Sequence, residues 1–132
     1  MEPKIWGPPA WTFLHSITLN YPDNPSSQHK ENYKRFFESL GDVLPCPTCK
    51  KHYKENIIKH PIRLDSKDDL TKWLIDIHNK VNEKNGKEIF SYESFNEKYE
   101  QLYSQNNIDT IKIVLLFILI VLIYKLFKKY YK

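Results

Sequence analysis

Apolar residues recur along most of this chain at helical spacing, and nowhere do they alternate with polar ones for long enough to make a convincing strand. Ala10, Phe13, Leu14, Ile17 and Tyr21 fall at i, i+3, i+4, i+7 and i+11. This stripe predicts a first helix, opened by Pro8 and Pro9 and stopped by Pro22. After the turn-formers of Asp23 to Ser27, the spacing returns in Tyr33, Phe36, Phe37, Leu40 and Leu44, with Gly41 weakening that helix near its end. Pro45 opens a third helix with Cys46, Cys49, Tyr53 and Ile57 along one side, and His60-Pro61 ends it. Ser66 and Asp69 have the spacing of a capping box ahead of Leu70, Trp73, Leu74, Ile77 and Val81. Gly86 is a natural C-terminal stop, and a short fifth helix carries Phe95, Tyr99 and Leu102. The expectation is an all-α domain: four helices in a bundle and a shorter fifth.

The pattern changes at Ile111. From there to Phe127 only Lys112 and Lys125 interrupt an apolar run, which is short but workable against the roughly 20 residues that a spanning helix needs. Both lysines lie near the ends, where their stems let the ammonium groups reach the headgroups. Tyr124, Tyr130 and Tyr131 supply an aromatic belt. The expected organisation is a folded domain over 1–104, a linker over 105–110, a transmembrane anchor over 111–127 and a basic tail over 128–132. The bland alternative is an apolar helix packed on the domain or on a partner, but this run has no polar face to offer water. Met1 to Lys4 leads straight into Trp6-Gly7-Pro8-Pro9, so no secretory leader is expected. Lysines beyond the anchor favour a cytosolic C-terminus, whereas a missing leader favours a cytosolic folded domain. The second is taken here, since a short tail can cross after synthesis.

Composition narrows the function classes. The net charge of +4 is mild, and lysines are interspersed with acids through the first hundred residues. No basic face within the domain points to nucleic acid. Three glycines leave little room for phosphate-cradling loops. The only cysteines are Cys46 and Cys49, in Pro45-Cys46-Pro47-Thr48-Cys49. A disulfide between them closes a loop too short to restrain the unfolded chain much, so chemistry is the better reason for the pair.

Two cysteines three residues apart on a first helical turn bring their sulfurs together, and the helix N-terminus stabilises the thiolate that attacks or leaves. A zinc site would need four ligands. Cys46, Cys49, His52 and His60 are the candidates, but ligands crowded into one helix close a tetrahedron poorly. A thioredoxin-like domain would need a βαβ framework that the chain lacks. Trp11 and His15 lie at i, i+4 beside the first stripe, and His78 and Asn82 repeat that spacing on the fourth helix, with Asn79 adjoining. Two such pairs around a dithiol would line a flat, aromatic cleft suited to a planar cofactor.

Here a resemblance becomes specific. Trp6-Gly7-Pro8-Pro9-Ala10-Trp11-Thr12-Phe13-Leu14-His15 resembles the WGxxxWxxLH opening of the Erv/ALR sulfhydryl oxidases. Cys46-Pro47-Thr48-Cys49 resembles their active-site CxxC, and His78 to Lys87 their HNxVNxxxGK flavin-binding segment. The three motifs stand in family order over roughly Trp6 to Tyr103. The resemblance implies a four-helix FAD-binding bundle that oxidises protein thiols through Cys46 and Cys49 and passes electrons to dioxygen, giving hydrogen peroxide. It further implies that Gly7, Trp11, His15, Tyr53, His78, Asn79, Asn82, Lys84, Lys87 and Tyr99 contact FAD, with no metal. Pro8 stands where some members carry arginine, and Tyr99 where many carry tryptophan. No second cysteine pair serves as a shuttle, so thiol-bearing substrate proteins reach Cys46 directly or through a separate carrier. Family members pair through their first two helices, so a homodimer is expected. The short, shuttle-free chain is similar to oxidases of large cytoplasmic DNA viruses. The rival reading is a membrane-tethered helical adaptor whose CxxC is a minor redox or metal site.

Overall fold

The computed structural model describes residues 1–130, with the side chains at 105–109 left aside. Tyr131 and Lys132, expected to complete the aromatic belt and basic tail, lie outside the described residues. Five helices follow one another: α1 (Pro3–Leu19), α2 (Ser27–Val43), α3 (Pro47–Lys59), α4 (Lys67–Lys84) and α5 (Tyr92–Tyr130). The described residues contain no strand. The chain divides into two compact units, Met1–Phe90 and Ser91–Lys132.

In the first unit α1 packs on α4, α2 packs on α3, and α3 also meets α4. Leu14, Tyr21, Phe37, Tyr53, Leu70, Trp73, Leu74 and Ile77 form the core. Its polar atoms are satisfied by backbone: Tyr21 Oη donates to the Leu64 carbonyl (3.0 Å), Tyr53 Oη to that of Phe37 (2.9 Å) and Trp73 Nε1 to that of His60 (2.9 Å). Burial, helped by the charge of Glu38, pushes the Tyr53 phenol well above its ordinary range, so it stays a donor.

Local signals set the helix ends. Ser26 caps α2 by accepting from His29 N, and His29 Nδ1 accepts in return from Ser26 N. Ser66 accepts from Asp69 N. The Asp69 carboxylate takes the Ser66 hydroxyl rather than a backbone N–H, so only half of the expected capping box forms. The C-terminus of α4 closes as a Schellman motif: Lys87 N donates to the Asn82 carbonyl (2.9 Å) and Gly86 N to that of Glu83 (3.2 Å). Gly86 takes the left-handed φ of 63° that this motif requires. At Gly41 the reason for glycine is a close approach, since a Cβ there would stand 2.7 Å from Lys54 Cγ on α3.

Four expectations need correction. First, α1 opens at Pro3, placing Pro8 and Pro9 inside the helix. The carbonyls that lose a helical donor to these prolines, those of Lys4 and Ile5, belong to exposed residues open to solvent. Second, α3 opens at Pro47, and Cys46 is its N-cap. Third, Phe13 is 61% exposed while His15 (1%) and Thr18 (0%) are buried. The inward face of α1 is rotated toward Trp11, His15 and Thr18. Fourth, the short fifth helix and the apolar segment are one continuous helix through 105–110 rather than two elements with a linker.

The second unit, taken by itself, is that helix. At 1.5 Å per residue its 39 residues extend about 58 Å. Near its start Phe95 and Tyr99 stack with centroids 4.4 Å apart. Further on, Thr110–Tyr130 is 21 residues long and contains an 18-residue stretch with a mean hydropathy of 2.5, enough by length and composition to cross a membrane.

Candidate functional site

α4 has two inward faces. At 100° per residue, Leu70, Trp73, Leu74 and Ile77 share one arc, and Thr71, Ile75, His78 and Asn82 share another. The first arc belongs to the core cluster. In the second, Thr71, Ile75 and Asn82 are buried and His78 is half-buried. Its spacing of i, i+4, i+7 and i+11 is as helical as the first. Mixed polarity hid Thr71 and Ile75 from a search for apolar residues.

This second arc meets α1. His78 stacks flat on Trp11, with ring centroids 3.9 Å apart and planes within 7°. His15 Nε2 and His78 Nδ1 are 3.0 Å apart and share one hydrogen. One ring must therefore offer a lone pair, so the two cannot both be imidazolium. The structure thus unites Trp11, His15 and His78, which stand 63 residues apart in the chain for the histidine pair.

The segment after α4 folds back over this cluster, held by the two asparagines. Asn79 Nδ2 donates to the Phe90 carbonyl (2.8 Å), and Asn79 Oδ1 accepts from Phe90 N (2.9 Å). Asn82 Nδ2 donates to the Glu88 carbonyl (3.1 Å). Phe90, so fixed, lies against His78 with centroids 5.4 Å apart. Both carboxamides therefore act first on backbone, shaping the site's wall. Replacing Asn79 with Ala removes a reciprocal pair and leaves two backbone groups without it. The expected cost is about 1–3 kcal/mol, with protection of the Phe90 amide falling in hydrogen exchange. Unchanged protection there would show that the clamp contributes nothing.

The cysteines occupy the opening turn of α3. Cys46 and Cys49 are disulfide-bonded, with Cα atoms 5.1 Å apart, and both are half-buried. Cys49 N donates to Cys46 Sγ (3.2 Å), so the sulfur itself caps the helix. One turn on, Lys84 Nζ donates to His52 Nε2 (2.6 Å), tying α3 to the end of α4. That tie was not foreseen from the residues, and it draws His52 toward a cation. Among the described residues, no three His, Cys, Asp or Glu side chains gather to hold a metal ion.

The remaining candidates separate. Tyr53 sits in the core with its hydroxyl on α2. Gly7 has no protein atom within 4 Å of where a Cβ would stand. Lys87 joins no ion pair among the described residues, and its backbone closes the Schellman motif. Tyr99 belongs to the second unit, stacked on Phe95. Trp6, noted only as a motif residue, has a buried indole N–H without an acceptor among the described residues.

Comparison with known proteins points one way. A probable FAD-linked sulfhydryl oxidase of Acanthamoeba polyphaga mimivirus is 41% identical over 104 residues, 76% of this chain and 73% of that protein. An FAD-linked sulfhydryl oxidase of Arabidopsis thaliana is 33% identical over 96 residues, 73% of this chain; the match spans half the length of that relative. The crystal structure of the yeast Erv1 core superimposes with a TM-score of 0.67 at 32% identity, covering 69% of this chain and 77% of that one. The sequence model of the Erv1/Alr family matches residues 8–100, from the first turns of α1 through the redox turn and the asparagine clamp into α5, and the chain belongs to that family.

Proposed function

We propose that this chain is an FAD-linked sulfhydryl oxidase, turning pairs of protein thiols into disulfides at the expense of dioxygen. The observation that carries the reading is the Cys46–Cys49 disulfide, set in the N-terminal turn of α3 with a backbone N–H on Cys46 Sγ.

The residues around the aromatic cluster fit FAD. Trp11 and His78 offer flat stacked rings, and Gly7 leaves room for a ring to approach the backbone of α1. The buried Trp6 N–H is a donor for a polar group, and Lys84 and Lys87 are cations suited to a pyrophosphate. Asn79 and Asn82 contribute through the clamp on 88–90, which holds the wall in place. Bound FAD supplies a two-electron acceptor that dioxygen reoxidises, with hydrogen peroxide as product.

The protein's own steps are thiol–disulfide exchange. A substrate thiolate attacks Cys46 Sγ, the bond to Cys49 breaks, and Cys49 leaves as a thiolate. A second substrate thiolate then attacks the substrate sulfur of the mixed disulfide. Cys46 leaves as a thiolate that the Cys49 N–H and the α3 dipole stabilise. The substrate gains a disulfide and gives up two electrons to the cysteine pair. Cys49, the first thiolate freed, would be the one that passes the electron pair to FAD when it is bound.

The anchor reading rests on Thr110–Tyr130 and its exposed apolar side chains. Pairing of two chains through α1 and α2 is supported by the exposure of Phe13. Full-length protein purified in detergent is expected to be yellow, with flavin absorbance, and to consume oxygen when given dithiothreitol. Folded, colourless protein that takes FAD from solution neither in absorbance nor in thermal stability would refute the assignment.

A further inference from the structure

Lys84 is a surface cation whose ammonium is nevertheless fixed by a partner from another helix. Its Nζ donates to His52 Nε2 at 2.6 Å, across from the last turn of α4 to α3. Acidic residues stand close by in the chain, but Glu83 is engaged by Lys80 (3.2 Å). Lys84 forms no ion pair among the described residues. Both ends of this tie rest on fixed backbone. On α4, Lys84 directly precedes the Schellman turn closed by the Gly86 and Lys87 N–H groups. On α3, His52 is half-buried, three residues after Cys49 and next to Tyr53. The Tyr53 hydroxyl in turn fastens α3 to the Phe37 carbonyl on α2 (2.9 Å).

The chemistry of the acceptor matters here. An ammonium group only donates, so His52 Nε2 offers its lone pair and the ring is neutral. A neutral acceptor takes one of the three ammonium hydrogens and leaves the full charge and two donors for an anion. A carboxylate in the same place would hold the side chain equally well but cancel its charge. Holding the side chain in advance has value, since immobilising one long side chain on binding lowers affinity about two- to tenfold. We propose that His52 is a positioning residue for the cofactor, holding the Lys84 ammonium ready for the pyrophosphate of FAD. This rests on the oxidase reading and on Lys84 as the cation that serves that pyrophosphate.

Binding is read without turnover. Yellow full-length protein in detergent is serially diluted to equilibrium, and the rise of free-flavin fluorescence gives the FAD dissociation constant. Each variant is first shown to keep wild-type helical circular dichroism. His52→Ala is expected to raise the constant about three- to tenfold. His52→Gln, whose side-chain carbonyl accepts from the same ammonium, should stay within about twofold of wild type. Lys84→Met should weaken binding at least as much as His52→Ala. Adding His52→Ala to Lys84→Met should then change nothing further, because the two act as one unit. A ring that merely supports α3 would lower affinity in both backgrounds, and glutamine would not replace it. An alanine effect that persists undiminished beside Lys84→Met, or a constant unmoved by either single change, overturns the positioning role and leaves the oxidase standing. Folded wild-type protein that holds no FAD removes the oxidase reading, and the positioning role with it.

Discussion

Replacing Cys49 with serine is expected to lower thiol-driven oxygen consumption by at least about a thousandfold, while the mutant keeps the helical fold. Serine cannot close a sulfur–sulfur bond, so the protein loses its two-electron store outright. The fold survives because the disulfide joins residues only three apart and restrains little of the unfolded chain. The same mutant should accumulate substrate bound to Cys46, since no internal thiol remains to displace it. Non-reducing electrophoresis of protein incubated with a thiol substrate reads both effects. An adduct that forms only in the Cys46→Ser protein would reverse the order of the two cysteines.

The second large effect lies in the core. Trp73 is fully buried, meets Phe37 edge to face at 5.1 Å, and donates its indole N–H to the His60 carbonyl. Trp73→Ala removes the largest side chain in the core and the hydrogen bond that fixes the C-cap of α3. Such truncations cost about 3–5 kcal/mol, a large share of the roughly 5–15 kcal/mol that holds a domain together. At about 4–8 °C per kcal/mol for a unit of this size, the melting midpoint should fall by more than 12 °C. Trp73→Phe, which keeps a ring against Phe37 but loses the donor, should fall between the two. Thermal melts by circular dichroism test this, and a drop of under about 3 °C for the alanine mutant would show that the site collapses without cost.

The two expectations differ in how visible they were beforehand. Trp73 stands in an apolar stripe with Leu70, Leu74 and Ile77, and burial along that stripe is a matter of period alone. The redox turn was legible because CxxC at a helix start is a local device: the sulfurs meet whatever the rest of the chain does. Gly86 was legible for the same reason, since a Schellman motif needs only its own six residues. The rotation of α1 was not local. Period reading placed Phe13 inside and treated His15 as peripheral, yet Phe13 is exposed and His15 is buried. Burying a histidine is unfavourable unless its ring nitrogens find partners, and one of those partners is His78 on α4. The asparagines show a related gap. Their motif pointed to a cofactor and carried no sign of the backbone of 88–90, which their side chains hold.

By itself, then, the amino-acid order determined the features whose cause lies within one or two helical turns. These are the helical type of every element, the Ser66 cap and the Gly86 stop of α4, the cysteine pair and the apolar run at the C-terminus. The tertiary structure decided which face of α1 turns inward, that α4 buries two arcs rather than one, that Lys84 finds His52, and that the two asparagines serve as a clamp. Each of these depends on whether a polar group meets its complement from a distant part of the chain. That meeting sets whether burial is affordable, and no periodicity within a single helix records it.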